Sequence, residues 1–220
     1  NMHMIFTGNP GTGKTTIARI LAKYLKAIGA LRGGQLVEVT RADLVGRYVG
    51  HTAPLTNSVI QSALGGVLFI DEAYALYRGG EDSFGLEAID TLVKGIEDHR
   101  DDLVVILAGY TKEMQLFLSA NSGLASRFPN QIEFPDYSGE ELYKILCSIA
   151  KGKGYTLDDA CKLPLVTYFD RKQVEDAATN GNGRMARNTL EKAILNQSKR
   201  LVADPDASLE LLLPGDFELE

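Results

Sequence analysis

Cysteine and histidine are scarce in this sequence, with two and three residues among 220. The two cysteines, Cys147 and Cys161, are too few and too isolated for a disulfide framework or a zinc site, and they indicate a reducing compartment. The histidines show no metal-ligand spacing. No apolar run approaches the roughly 20 residues of a membrane-spanning helix, and the first residues lack the pattern of a signal peptide. We therefore expect a cytoplasmic protein that has no membrane partner.

Positive charge is also in the minority. Lysine and arginine number 23 against 29 aspartates and glutamates, which gives a formal net charge of -6 at pH 7. Proteins that bind nucleic acid neutralise its phosphates with clustered lysines and arginines, and the sequence has no such run. We therefore expect no nucleic-acid partner. A chain of this length with 45% hydrophobic residues can bury a core, and it suits one domain with an appended subdomain.

Short apolar runs separated by glycines alternate with segments of helical periodicity in the first part of the chain. The apolar runs predict strands at residues 3–6, 35–40, 66–71, 103–110 and 130–134. The periodic segments predict helices from Thr15 onward, over 52–64 and around 89–96. Strands that are apolar throughout are covered on both faces, as in a parallel sheet wrapped by helices. The prediction is an α/β fold with a parallel sheet of five strands flanked by helices.

The strands stop after residue 134, and the rest of the chain is predicted to form a small all-helical lid subdomain. Ser138 and Glu141 have the spacing of a capping box at the start of its first helix. Helices are predicted over 139–151, within 164–179 and over 184–203. The tail from residue 209 fits either a short strand or the end of a helix.

Because the strands stop there, the boundary between the subdomains is placed near Pro135 to Tyr137. This divides the chain into a large α/β subdomain, residues 1–136, and a helical lid, residues 137–220. The first strand begins almost at the start of the sequence. We therefore expect an excised domain whose N-terminal segment is truncated.

The sequence GNPGTGKT at 8–15 matches the phosphate-loop pattern G-x-x-x-x-G-K-[ST], directly after a strand and at the start of a helix. Glycines let backbone N–H groups converge on phosphate oxygens, and the helix N-terminus adds partial positive charge. Lys14 reaches the β and γ phosphates, and the Thr15 hydroxyl binds Mg²⁺. An ordinary glycine-rich turn is the alternative, which the full spacing disfavours. The predicted nucleotide-binding residues here are Gly8, Asn9, Pro10, Gly11, Thr12, Gly13, Lys14, Thr15 and Thr16.

A second motif, VLFIDEAY at 67–74, ends a buried strand with two adjacent carboxylates. We predict that Asp71 binds Mg²⁺ and that Glu72 polarises the water that attacks the γ phosphate. A solvated strand end is the alternative for this pair, and the preceding phosphate loop favours the catalytic role. The segment at 108–114 resembles the T-K-x-D motif that reads guanine, but Met114 stands where the aspartate is required. ATP is therefore the expected nucleotide.

Several segments together resemble successive signatures of one family. They are FTGNPGTGKTT, TRADLVGRYVGHTA, GGVLFIDEAYALYRGG, DDLVVILAGYTKEM, SGLASRFPNQIEFPDYS and GNGRMARNTLEKAI, which cover most of residues 3–203. They resemble the AAA+ ATPases, specifically the stage V sporulation protein K and red-type rubisco activase (CbbX-like) family. The resemblance implies rings, typically hexamers, with ATP bound at subunit interfaces.

The resemblance also implies roles for residues outside the two motifs. Arg127 stands where the family has its arginine finger, although a surface arginine paired with a carboxylate is the alternative. Arg184 resembles the sensor 2 arginine of the lid, and Arg187 follows one turn later on the same helix face. The asparagine expected at sensor 1 is missing, and Tyr110 or Thr111 would take its place. The segment that clasps adenine in the family is also missing, so we expect weaker nucleotide binding.

The segment GRYVGHTA at 46–53 puts a tyrosine and a valine on a loop between glycines. The resemblance implies pore loop 1, in which Tyr48, Val49 and Gly50 face a central channel and the aromatic ring grips a threaded polypeptide. A tyrosine packed within the loop is the alternative. A second loop at 77–83 is expected to line the same channel.

These features predict an ATP-driven ring motor that remodels a protein client. The first alternative is a nucleotide-switched assembly or DNA-transaction factor that threads nothing; the pore residues and the acidic charge disfavour it. A P-loop kinase would share the phosphate loop but would not need an intersubunit arginine or a lid arginine. The DEAY segment alone suggests a helicase, without any other helicase signature.

Overall fold

The computed structural model describes residues 2–220, and contacts between residues divide the chain into two compact units. The sheet unit contains Gly13–Phe134 together with the chain up to Gly8. The lid unit contains Pro135–Glu220 together with Asn9–Thr12. The middle of the predicted phosphate loop therefore belongs, by its contacts, to the lid unit.

The sheet unit alternates strands and helices along the chain. Its strands are β1 (Met4–Gly8), β2 (Leu36–Val39), β3 (Val67–Ile70), β4 (Val104–Gly109) and β5 (Asn130–Phe134). Its helices are α1 (Lys14–Ala27), α2 (Arg41–Leu44), α3 (Thr52–Ala63), α4 (Ser83–Asp98), α5 (Thr111–Ala120) and α6 (Ser122–Ala125). The strands form one parallel sheet in the order β2-β3-β4-β1-β5, which confirms the predicted five-strand α/β fold.

Side chains of the central strands alternate between two cores, because successive residues of a strand point to opposite faces. Leu68 and Ile70 of β3 lie in the core that contains residues of α3 and α4. Phe69, between them, lies in the core that contains residues of α1. Burial of each such side chain stabilises the fold by roughly 1.5–3 kcal/mol. Covered faces on both sides explain why β3 and β4 have no polar residue.

Three helices of the sheet unit are not predicted by the sequence patterns. Helices α2 and α6 have only four residues each, which is too short for a periodic apolar pattern. Helix α5 follows β4 directly and buries only Met114 and Phe117. Local capping still specifies α2, because the Thr40 N–H donates to Asp43 Oδ2 at 2.9 Å.

A buried histidine holds the start of β1. His3 is 3% exposed, and its Nδ1 accepts a hydrogen bond from the Val105 N–H at 3.0 Å. Burial lowers the pKa of His3 to about 4, so the ring is neutral at physiological pH. In the unfolded chain His3 has its ordinary pKa near 6.5, so it is protonated there at a higher pH than in the folded protein. The free energy of unfolding therefore falls as the pH is lowered from about 6.5 to about 4.

The lid unit is built from α7 (Gly139–Gly152), α8 (Lys162–Asp176) and α9 (Gly183–Ala203). The predicted capping box is confirmed, since Ser138 Oγ accepts from the Glu141 N–H at 3.1 Å and Glu141 Oε1 accepts from the Ser138 N–H at 3.0 Å. The lid departs from an all-helical unit in one detail. Two short parallel strands pair within it, β6 (Thr156–Leu157) and β7 (Leu211–Leu212). The tail therefore forms a strand, and buried Leu212 fixes it to the lid core.

The two cysteines are free thiols in the lid. Cys161 is buried and Cys147 is half-buried. Burial raises the pKa of the Cys161 thiol to about 11, so it remains protonated and unreactive at neutral pH.

Candidate nucleotide-binding site

Two predicted nucleotide-binding residues, Asp71 and Tyr110, directly follow strands that are neighbours in the sheet. Strand β4 pairs with both β1 and β3, in registers that set Thr7 beside Gly109 and Ile70 beside Leu107. The carboxyl ends of these strands therefore meet at one edge, where ligands of open α/β sheets bind. Asp71 follows β3 at this edge, and Tyr110 follows β4.

Glycines form both ends of the phosphate loop. Gly8 has φ 150°, and an added Cβ would lie 2.3 Å from the Phe134 carbonyl oxygen. Gly13 has φ 99° and caps α1 without any side-chain hydrogen bond. The first turn of this 14-residue helix therefore offers backbone N–H groups and a positive dipole end to an anion.

The first three residues of α1 are the predicted phosphate and metal ligands Lys14, Thr15 and Thr16. Lys14 Nζ donates to the Gly8 carbonyl oxygen at 2.7 Å, so the ammonium group lies across the start of the loop. The Thr15 side chain is half-buried, and that of Thr16 is exposed. The charge and position of Lys14 suit a phosphate ligand.

The two carboxylates are held by a local turn at the end of β3. The Asp71 N–H donates to the Val39 carbonyl oxygen at 2.9 Å, and Asp71 Oδ1 accepts from the Glu72 N–H at 2.9 Å. Glu72 has a left-handed backbone, with φ 50° and ψ 47°. Such a conformation is strained in a residue other than glycine, and strain of this kind concentrates at functional sites. The turn leaves the Glu72 side chain exposed and that of Asp71 half-buried.

Thr15 and Asp71 have the chemistry of a Mg²⁺ site. Mg²⁺ prefers oxygen ligands, and in nucleotide enzymes one or two protein groups bind it together with phosphate oxygens and water. Among residues 2–220 there is no group of three or more histidine, cysteine, aspartate or glutamate side chains that would hold a metal without such a partner. Two protein oxygen ligands of this kind fit a metal ion that is also bound by phosphate oxygens.

The predicted sensor 1 residues begin helix α5. Tyr110 is its N-cap and Thr111 its first residue, and both are half-buried. The Tyr110 ring stacks on Tyr74, with ring centroids 6.2 Å apart. Burial, reinforced by the Glu72 carboxylate, raises the pKa of Tyr74 to about 12, so its hydroxyl remains a hydrogen-bond donor. The sequence patterns do not identify Tyr74 as a site residue; its only signal is the position two residues after Glu72.

Arg127 has partners within the sheet unit. Its Nε donates to Glu97 Oε1 of α4 at 3.0 Å, and its guanidinium group also contacts the Gly123 carbonyl oxygen. The side chain lies just before β5, as the sequence predicts. To act on a neighbouring subunit, Arg127 would have to exchange Glu97 for the nucleotide.

The lid unit carries the remaining predicted residues. Arg184 and Arg187 lie in the first two turns of α9, and both side chains are exposed. Within the same unit the Gly183 N–H donates to the Gly11 carbonyl oxygen at 2.9 Å. The start of α9 is thus bound directly to the middle of the phosphate loop.

The predicted pore loop joins α2 to α3 and is held by one hydrogen bond at its base and one within its tip, where the His51 N–H donates to the Tyr48 carbonyl oxygen at 3.2 Å. The Gly46 N–H donates to Thr52 Oγ1 at 3.0 Å, and Thr52 is fully buried. At the tip, Tyr48 is 67% exposed and Val49 is 88% exposed. Tyr48 makes an edge contact with the His51 ring, with centroids 5.5 Å apart, but it is not packed in a core.

The second loop lies beside the first within the sheet unit. A cavity of about 470 Å³ is lined by residues of both loops, among them Arg47 and Arg78. Arg41 forms an ion pair with Asp82, with Nη1 and Oδ2 2.7 Å apart, and fixes the end of the second loop. Its hydrogen bond also lowers the pKa of the Asp82 carboxyl.

Family models match almost the whole chain. Residues 4–136 match the ATPase family associated with various cellular activities (AAA), and residues 138–220 match the AAA lid domain. The crystal structure of the FIGL-1 AAA domain in complex with ADP has a TM-score of 0.66 over 98% of this chain and 69% of that chain. Its identity is 19%, so this likeness concerns the fold alone.

No helix in residues 2–220 has the length and hydropathy needed to cross a membrane.

Curated relatives are more similar in sequence. Stage V sporulation protein K of Bacillus subtilis is 50% identical over 91% of this chain and 63% of its own length. The chloroplastic ribulose bisphosphate carboxylase/oxygenase activase of Cyanidioschyzon merolae is 46% identical over 94% of this chain and 71% of its own length. Protein CbbX of Cereibacter sphaeroides is 47% identical over 95% and 67% respectively. The chain thus spans roughly two thirds of the length of these relatives.

Proposed function

This chain belongs to the AAA family of ATPases, and we propose that it is the motor domain of a ring that hydrolyses ATP and threads a protein client through its central pore. The observation that carries the threading proposal is the pore loop. Tyr48 and Val49 are exposed at the tip of a loop whose base is fixed by buried Thr52. Exposed apolar side chains at the tip of a loop suit a contact with an unfolded client chain, and the glycine beside them lets the loop move.

The chemistry of hydrolysis follows from the two motifs. Lys14 and the N–H groups at the start of α1 bind the phosphates and oppose the charge that develops on them. Thr15 and Asp71 would hold Mg²⁺, which would supply positive charge that opposes the charge of the phosphates. Glu72, exposed at the sheet edge, orients the attacking water and accepts its proton. Tyr110 or Thr111 donates a hydrogen bond to the same region.

The ring supplies the remaining positive charge. Arg127 of one subunit is proposed to leave Glu97 and reach the γ phosphate of its neighbour, where it stabilises the transition state. Arg184, and to a smaller extent Arg187, are proposed as further residues that interact with the nucleotide. The proposed partners are therefore further copies of this chain, which form a hexamer, and a polypeptide client. The proposed location is the cytoplasm.

The nature of the client rests on the relatives. One relative is named a sporulation protein and another a rubisco activase, at similar identity to this chain. Two differently named relatives at similar identity give no reason to prefer one client over the other. We therefore propose a protein client as a class, selected by surfaces apart from the phosphate loop and the carboxylate pair.

A mixing experiment tests the ring. Arg127→Ala and Glu72→Gln are each expected to hydrolyse ATP at least about 100-fold more slowly than wild type. A mixture should regain activity, because a Glu72→Gln subunit still offers Arg127 to a neighbour whose Glu72 is intact. The measurement is phosphate release, with co-assembly of the two variants checked by size-exclusion chromatography. An inactive mixture of co-assembled variants would overturn the intersubunit role of Arg127.

A further inference from the structure

Asn182 has a backbone conformation that favours glycine. Its φ of 47° and ψ of -110° lie close to the first central position of a type II′ turn. Only one other residue besides glycine has a positive φ within 2–220, and that is the predicted catalytic Glu72. The Asn182 side chain is 0% exposed. Glycines flank it on both sides, yet the strained position itself is an asparagine. This indicates that the asparagine side chain has a structural or functional role.

The Asn182 amide uses both of its ends. Its Oδ1 accepts from the Tyr137 N–H at 3.0 Å and from Gln173 Nε2 at 2.7 Å. Its Nδ2 donates to Asp136 Oδ1 at 3.0 Å and to the Pro10 carbonyl oxygen at 3.3 Å. One side chain thus joins α8 and the first residues of the lid to the phosphate loop. Every one of these atoms belongs to the lid unit.

The loop has further bonds to the same part of the lid. They run from Asn9 Nδ2 to Asp136 Oδ1, from Tyr137 Oη to the Thr12 carbonyl oxygen and from the Gly183 N–H to the Gly11 carbonyl oxygen, each at 2.9 Å. Packing is equally close, because a Cβ on Gly11 would lie 1.8 Å from the Gly181 carbonyl oxygen. Residues Asn9–Thr12 are therefore held by contacts on both their backbone and their side chains.

We propose that Asn182 is a positioning residue that holds the phosphate loop in the conformation that binds phosphate. It acts through Pro10 and Asp136 and does not itself touch the nucleotide. The inference rests on the proposed ATP site. Without the amide, the loop spends part of its time in other conformations, and the apparent affinity for nucleotide falls by the fraction of molecules that lose the competent form.

The variant Asn182→Gly tests this directly, since glycine adopts the same φ and ψ without strain and removes only the amide. We expect the Kd for ADP to rise about tenfold, which corresponds to the loss of about two hydrogen bonds. AMP offers the loop one phosphate instead of two, so its Kd should rise less. Both constants are measured by displacement of a fluorescent ADP analogue, and thermal unfolding followed by circular dichroism reports folding.

Two further variants separate positioning from a general loss of structure. Asn196→Ala removes a lid asparagine whose Nδ2 donates to the Asp216 carbonyl oxygen at 2.9 Å, away from the loop, and it should bind ADP as wild type does. Asn182→Asp keeps the acceptor for Tyr137 but sets a second carboxylate against Asp136, so it should weaken ADP binding at least as much as Asn182→Gly and also lower the melting temperature.

The outcomes are distinct. An ADP Kd that rises in both Asn182 variants and not in Asn196→Ala supports the inference. An unchanged ADP Kd in Asn182→Gly overturns it, and so does an equal loss of AMP and ADP affinity, because the residue would then act elsewhere than on the phosphate loop. A wild-type protein that binds neither nucleotide would overturn the proposed function as well, whereas wild-type binding with unaffected variants overturns only the role of Asn182.

Discussion

The phosphate loop, residues 8–15, and the pore loop, residues 46–51, are both rich in glycine, but their surroundings are opposite. Gly11 and Gly50 have similar backbones, with φ 72° and φ 84°. A Cβ on Gly11 would collide with the Gly181 carbonyl oxygen at 1.8 Å, whereas a Cβ on Gly50 would meet nothing within 4 Å. The first loop is enclosed by hydrogen-bonded backbone, and the second is open to solvent.

This difference shows that a positive φ identifies a turn, whereas the residues around the turn indicate what function the loop can have. In the phosphate loop the Thr12 side chain is buried and donates to the Asn9 carbonyl oxygen at 2.8 Å, so even side chains serve to hold the backbone. In the pore loop the base is fixed through Thr52, and the side chains of Tyr48 and Val49 are exposed. A loop that binds a small anion must be rigid, and a loop that grips a moving chain must present its side chains.

The largest expected effect comes from removing the positive charge of the phosphate loop, with removal of a positive charge from the pore loop as the control. Lys14→Ala should reduce ATP affinity and hydrolysis at least about 100-fold, because the ammonium group is the predicted ligand of the β and γ phosphates. Arg47→Ala in the pore loop is the matched control and should leave both within about twofold. Nucleotide titration and phosphate release measure the two quantities. Equal losses in both variants would contradict the division of roles between the loops.

Alanine at Gly11 and at Gly50 tests the contrast between the two loops most directly. Gly11→Ala forces Cβ against backbone, so we expect more than tenfold weaker ADP binding and a lower melting temperature. Gly50→Ala has only the left-handed conformation to oppose it, at a cost of about 1 kcal/mol in the free energy of unfolding, with ADP binding unchanged. Titration calorimetry measures the ADP affinity of both variants, and scanning calorimetry measures their stability. Wild-type ADP affinity in Gly11→Ala would show that the loop can relax away from the lid.

Removing the exposed ring separates threading from hydrolysis. Tyr48→Ala should leave basal hydrolysis within about twofold and the free energy of unfolding within about 0.5 kcal/mol, because the ring contacts no core. Stimulation of hydrolysis by an unfolded polypeptide such as casein should be lost, and Tyr48→Phe should restore it. Full stimulation of Tyr48→Ala would favour the alternative of a nucleotide-switched factor that threads nothing.

Much of the fold can be predicted from the sequence because apolar residues repeat at fixed periods over its longer elements. Strands β3 and β4 and the capped helix α7 fit the predicted positions to within a few residues. Helices α2 and α6, with four residues each, contain no full period and are therefore missed. Strand β7 depends on pairing with β6, more than 50 residues earlier, which leaves no local pattern.

The residues of the candidate site also divide into those that a local pattern predicts and those that depend on distant contacts. Lys14, Asp71 and Glu72 can be predicted because motif spacing alone brings them to strand ends and a helix start. Tyr74 and Asn182 cannot, since their contacts join distant parts of the chain, as from Asn182 to Pro10 across 172 positions. Only the asparagine set between two glycines hints at a special backbone there. The catalytic and sensor roles of the predicted residues stay predictions until the variants are measured.

The smallest expected effect concerns the base of the pore loop. Thr52→Val keeps the shape of the buried side chain but removes the oxygen that accepts from the Gly46 N–H, so the free energy of unfolding should fall by about 1 kcal/mol. Thr52→Ser retains the acceptor and should recover part of that loss. Basal hydrolysis should stay within about twofold in both, whereas stimulation by casein should fall in Thr52→Val alone, because a loop with a loosened base transmits less force to the chain it grips. Denaturant unfolding and phosphate release measure these effects, and full casein stimulation in Thr52→Val would mean that the open tip works without a fixed base.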